Sequence, residues 1–82
     1  MTKLLYFGRL SDLTGMEEEE LTLPNDVITA ADLRSWLDTK FETNGALLEP
    51  TVRIAINNEL SLEHAKVNEG DEIALMPPVG GG

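Results

Sequence analysis

The residues best suited to chemistry stand together at the end of the chain, Met76-Pro-Pro-Val-Gly-Gly-Gly82. Gly80, Gly81 and Gly82 lack Cβ atoms, so the backbone there can thread a channel too narrow for side chains and take conformations closed to other residues. Gly82 carries the α-carboxylate, which nothing local shields. Pro77 and Pro78 hold φ near about −65° and favour an extended root for this arm. A stiff root loses less entropy when a partner orders the tail. Val79 is the last side chain able to act as an apolar anchor. The six residues beyond Met76 span roughly 20 Å when extended at ~3.3 Å each. That reach puts the terminus in another protein's active site while the folded body stays outside. A bare carboxylate is a poor electrophile. Once activated, most simply as an acyl-adenylate, it can take sulfur as a thiocarboxylate or be joined to an amine. Activation requires ATP and magnesium, for which the chain has no site, so it belongs to a partner. The plain alternative is a frayed end with no role.

Elsewhere the sequence offers no catalytic set. The sole histidine, His64, lies in a polar stretch with no cysteine or second histidine to complete a metal site or triad, and reads as a surface or turn residue. Ser11, Ser35 and Ser61 lack a nucleophile-elbow setting. Acidic pairs such as Asp71-Glu72 read as solvated. The triple glycine is not a phosphate loop, because no lysine or helix follows it.

Those residues need a small handle to carry them. Eighty-two residues form one domain with one core and little room for an enclosed pocket. The expected division is a body over residues 1–76 and a flexible tail over residues 77–82. The absence of cysteine excludes disulfide scaffolds, cysteine-based zinc sites and a cysteine nucleophile. With 15 acidic residues against 6 basic and a formal charge of −9, nucleic acid and anionic membrane are disfavoured as partners. An acidic surface suits a basic groove on another protein, or simply solubility. No stretch resembles a signal peptide or membrane span, so the expected location is cytoplasmic.

Local patterns outline the elements. Residues 3–7 (KLLYF) read as a buried strand. Leu10 and Leu13, between Gly8 and Gly15, suit a short helical turn. Residues 20–23 alternate as a second strand with one wet face, and the acidic run over residues 17–20 suits a sheet edge. Thr29 and Asp32 form a capping box, with Ile28 and Leu33 placed as a hydrophobic staple. Ala30, Leu33, Trp36, Leu37 and Phe41 make one apolar helical stripe, in which Trp36 reads as core. Asn44-Gly45 suits the helix exit. Residues 46–49 make a further turn. Residues 51–56 read as a strand, Asn57-Asn58 as a tight hairpin turn and residues 59–62 as its return strand. After a turn at residues 68–71, residues 72–76 form the last strand, with Ile73 and Leu75 facing the core and Ala74 and Met76 facing away. A mixed sheet covered by one main helix in this order is an α+β domain of the β-grasp kind. The strand order stays open.

Residues 70–82 (GDEIALMPPVGGG) join strand, Pro-Pro-Val and terminal Gly-Gly in one run; residues 3–10 (KLLYFGRL), with Leu13 and Gly15, and residues 52–59 (VRIAINNE) add to it. In these residues the whole chain resembles the MoaD-type sulfur carriers, the small subunits of molybdopterin synthase in the ubiquitin-like β-grasp group. The resemblance implies that an E1-like adenylating enzyme of MoeB type, using ATP and Mg, activates Gly82, and that a sulfurtransferase system converts it to a thiocarboxylate. The tail would then enter the large subunit of MoaE type and pass its sulfur to cyclic pyranopterin monophosphate. Two transfers make the dithiolene. The assembly implied is a heterotetramer, with this chain a non-catalytic donor and the catalytic side chains in the large subunit. Gly81 and Gly82 match the family's terminal pair. Met76 stands where an aromatic often contacts the partners, and a flexible methionine can fill the same depression. Ser11 stands where an arginine is often found, and Gly80 where a small polar residue is.

Related readings are a carrier for thiamin thiazole or tRNA thiolation, a ubiquitin-like modifier conjugated to lysines, and an interaction module with an inert tail.

Overall fold

The computed structural model describes residues 1–78; Val79, Gly80, Gly81 and Gly82 lie outside the described residues. The elements run β1 (Thr2–Tyr6), α1 (Leu10–Thr14), β2 (Glu18–Leu21), α2 (Ala30–Lys40), a single 3-10 turn (Ala46–Leu48), β3 (Arg53–Ile56), β4 (Glu59–Leu60) and β5 (Glu72–Met76). The strands form one sheet in the order β2-β1-β5-β3-β4. β1 and β5 pair in parallel at its centre, and the other pairs are antiparallel. A parallel pair needs a crossover between its strands. Here the chain from β2 to β4 supplies it, and α2 lies across one face.

Register follows from strand alternation. Leu4 lies opposite Ile73, and Tyr6 and Ile54 both lie opposite Leu75. All five are at most 2% exposed, as are Ala30, Leu33 and Leu37 of α2, which cover them. Each large side chain in this layer contributes about 1.5–3 kcal/mol on burial.

α2 begins as its sequence predicts. The Asp32 N–H donates to Thr29 Oγ1 at 3.2 Å, and the Thr29 N–H donates to Asp32 Oδ2 at 3.0 Å. The free N–H groups of Ala30 and Ala31 donate to the carbonyls of Ala65 and Glu63, at 2.8 and 2.9 Å. The expected staple is absent. Ile28 is 52% exposed, while Val27 is buried. The cause is an extended segment: Val67 N–H donates to Ile28 O and Thr29 bridges Lys66, so Val27 points in and Ile28 out.

Other boundaries shift for similar reasons. Phe7 is 47% exposed rather than buried, because alternation past Tyr6 turns it off the helix face. α2 ends at Lys40, so Asn44-Gly45 does not form its exit. Instead Asp38 accepts hydrogen bonds from Thr43 Oγ1 and the N–H groups of Gly45 and Leu47, folding the loop back under the helix end. β3 starts at Arg53, after a turn closed by Val52 N–H on Glu49 O. The hairpin turn at Asn57-Asn58 has φ of 51° and 71°, as a two-residue turn of this hand requires. The return strand is only Glu59–Leu60, because residues 62–65 turn to meet the start of α2. Trp36 is half-buried at the core's rim, with Lys40 Nζ 5.1 Å above its ring. The acidic run does occupy an edge strand, β2.

The sequence reading missed Arg34, which is buried in α2. Its Nη1 donates to Leu47 O at 3.1 Å and Glu49 O at 2.9 Å, and Nη2 reaches Glu63 Oε2 at 3.0 Å. The signal was present in the spacing: residue 34 shares the inner stripe with residues 30, 33 and 37.

Candidate functional site

The parallel central pair decides where the tail begins. Tyr6 lies opposite Leu75, and Phe7 N–H donates to Leu75 O at 3.1 Å. β5 therefore ends beside the turn that follows β1. Pro77 has no N–H to continue the ladder. Gly8, in that turn, has φ of +55°, and a Cβ built on it would lie 2.9 Å from Pro77 Cγ.

Met76, Pro77 and Pro78 come together around a groove of about 390 Å³, completed by Thr51, Arg53 and Leu60. Arg53 lies opposite Met76 in the β3–β5 register. This groove belongs to the sheet face that α2 leaves uncovered. Across that face Leu5, Ala74, Ala55 and Leu60 form a continuous row, each opposite the next. Two alanines between two leucines make a shallow apolar trough, with Leu60 64% exposed. Lys3, Glu20 and Glu72 lie on the same face at the far end from the tail, and Glu18 continues the row beyond Leu5 at the β2 edge. A larger groove, about 590 Å³, lies between α1 and the start of β3, among Leu10, Leu13, Ala46 and Val52. It contains none of the expected tail residues.

The remaining site residues, Val79, Gly80, Gly81 and Gly82, lie outside the described residues. Thr51, Arg53 and Leu60 escaped the sequence reading because only the pairing of distant strands gathers them at the tail's root.

Internal chemistry is sparse. Among the described residues no group of three His, Cys, Asp or Glu side chains is placed to hold a metal ion. His64 is exposed in the turn before β5. Ser11 and Ser61 donate their hydroxyls to the carbonyls of Gly8 and Ile54, at 2.9 and 3.2 Å, so both are structural. The Tyr6 hydroxyl donates to Glu19 at 2.7 Å, and burial, together with that carboxylate, pushes its pKa up. Two backbone N–H groups hold Asp32 below the usual carboxylate range. Both groups serve the fold on its helix side. Among the described residues no helix is long and apolar enough to cross a membrane.

Among the described residues no catalytic set is assembled, and the sequence continues from Pro78 into Val79-Gly-Gly-Gly82. The ThiS family model matches residues 4–82. The chain belongs to the ThiS family. It is similar to a molybdopterin synthase sulfur carrier subunit of Haemophilus influenzae, 35% identical over the whole of both chains. Among solved structures it is similar to a Pyrococcus furiosus protein described as a candidate molybdopterin converting factor subunit 1. That match has a TM-score of 0.80 and 28% identity, covering 95% of this chain and 97% of that one. It is also similar to a subunit in the Helicobacter pylori complex of molybdopterin-converting factor subunits 1 and 2, with TM-score 0.63 and 24% identity over 99% and 97% of the two chains. The ThiS-family chain thus has the ubiquitin-like β-grasp fold expected from its sequence.

Proposed function

We propose that this chain is a sulfur carrier, the small subunit of molybdopterin synthase. The observation that carries the reading is the placement of Pro77 and Pro78. They leave the central strand at the edge of an uncovered apolar face and lead through Val79 into Gly80-Gly81-Gly82. The names of the full-length relatives support the pathway.

In this reading a partner of E1-like type uses ATP and magnesium to convert the Gly82 carboxylate to an acyl-adenylate, releasing pyrophosphate. A sulfur donor displaces AMP and leaves a thiocarboxylate. That sulfur passes to cyclic pyranopterin monophosphate, and the carboxylate is regenerated by water. The chain contributes a narrow arm and a docking face; its partners contribute the catalytic groups. The large subunit would rest on the apolar trough of Leu5, Ala74, Ala55 and Leu60 beside Met76. Arg53 gives this acidic chain a cation at the arm's root. The working location is the cytoplasm.

Intact mass tests it. Incubation with the adenylating enzyme, ATP and a sulfur source raises the mass by about 16 Da as sulfur replaces oxygen. Production of dithiolene with the large subunit places the carrier in this pathway. No mass gain in a competent system overturns the reading. A ladder of lysine conjugates makes the chain a modifier instead.

A further inference from the structure

We propose that Gly8 is a positioning residue for the tail: its bare Cα is the seat on which the Pro77 ring rests, and that contact sets the direction in which the arm leaves the body. The inference rests on the carrier reading for its functional meaning, but its geometry stands apart from it.

Three observations converge on the seat. A Cβ at residue 8 would meet Pro77 Cγ at 2.9 Å and Cδ at 3.6 Å, so the ring occupies the space a side chain would need. The turn beneath it is braced, since Gly8 O accepts from both Ser11 N–H at 3.1 Å and Ser11 Oγ at 2.9 Å. Finally, β5 is tied to this turn by the Phe7 N–H bond to Leu75 O, two residues before the ring. Pro77 therefore meets a fixed surface at the point where its own missing N–H ends the ladder. A proline whose φ is preset and whose ring is seated has little freedom left, so Pro78 starts from a defined direction. An arm aimed in advance loses less entropy on entering a partner. Ser11 acquires a role here through the turn it braces.

Glycine at residue 8 satisfies two demands, a positive φ and an absent Cβ, and variants separate them. Gly8→Asn tolerates the left-handed backbone but adds the Cβ. Gly8→Ala adds both strain and the Cβ. Pro77→Ala removes the Cγ that either would strike. Transfer of sulfur from the loaded tail should slow on the order of tenfold in Gly8→Asn and more in Gly8→Ala, since displacements near an ångström carry such costs. Pro77→Ala, which loses the seated ring and its preset φ, should itself slow transfer, and Gly8→Asn/Pro77→Ala should be no slower than Pro77→Ala alone, because the added Cβ then strikes nothing. Additive losses in the double variant, or a Pro77→Ala chain that transfers at the wild-type rate, would overturn the proposal. Cα–Hα residual dipolar couplings at Pro77 and Pro78 are read in parallel and need no activity. They should change in Gly8→Asn, and a Gly8 Hα to Pro77 Hγ contact seen in wild type should vanish. Unchanged couplings would overturn the seat whether or not the chain carries sulfur. Failure of the carrier reading shows separately, as a wild-type chain that never gains mass.

Discussion

Arg34 and Leu47 are joined through the core's edge, the guanidinium Nη1 donating to the Leu47 carbonyl at 3.1 Å. The same group holds Glu49 O and Glu63, so one side chain ties α2 to the loop before β3 and the loop before β5. Its side chain is 7% exposed, whereas that of Glu63 is 58% exposed. The two ends of this ion pair therefore differ in worth. Arg34→Met leaves buried carbonyls without donors and should cost about 2–4 kcal/mol. Glu63→Ala removes a solvent-screened partner and should cost under about 1 kcal/mol. Urea unfolding of the two variants checks the ranking; equal losses would place the stabilisation in the ion pair.

Asp32 gives the fold an acid limb. The N–H groups of Thr29 and Ile28 hold its carboxyl below the usual 3.8. A carboxyl depressed on folding adds stability above its unfolded pKa and loses it as pH falls through the folded value. Asp32→Ala should therefore be less stable than wild type at about pH 7, with the gap narrowing once pH falls below the ordinary aspartate range. Urea midpoints at neutral and acid pH check this, and a gap independent of pH would show that the charged cap is not its source.

Leu60 tests the docking face. It is 64% exposed and ends the apolar row across the sheet. Leu60→Asp should leave stability within about 0.5 kcal/mol. Binding to the large subunit should weaken about tenfold or more, roughly 1.4 kcal/mol. Calorimetry with the large subunit decides it, and unchanged affinity would move the interface elsewhere.

The terminal glycines carry the chemistry in this reading. Deleting Gly82 should leave the unfolding free energy within about 0.5 kcal/mol and abolish the mass gain. Gly81→Phe should fold normally and block activation or transfer by bulk. A fully active Gly81→Phe chain would remove the requirement for a narrow channel.

Features fixed by neighbours in sequence were readable before the structure. Thr29 and Asp32 announce a helix start, Asn57-Asn58 a hairpin, and the alternation of Ile73 and Leu75 a half-covered strand, because each is decided within a few residues. What needed the structure were relations between distant residues. Ile28 faces water because residues 66 and 67 pair beside it. Phe7 faces out for want of a helix above it. Glu59–Leu60 is short because the next turn must satisfy Ala30 and Ala31. At the site, the sequence offered Met76, Pro77 and Pro78 as the arm's root. The floor beneath them, Gly8, and the wall beside them, Arg53 and Leu60, arrive through strand pairing that no local pattern encodes.

The first and last strands lie side by side at the middle of the sheet, and this shapes how the molecule is born. A nascent chain cannot close its core until the ribosome has released Glu72–Met76, since β5 supplies Ile73 and Leu75 to it; such long-range closure comes late. Prematurely terminated products lacking that strand are therefore also unfolded ones, open to proteolysis. Synthesis thus removes chains cut short before β5, which could otherwise occupy a partner with no arm to offer.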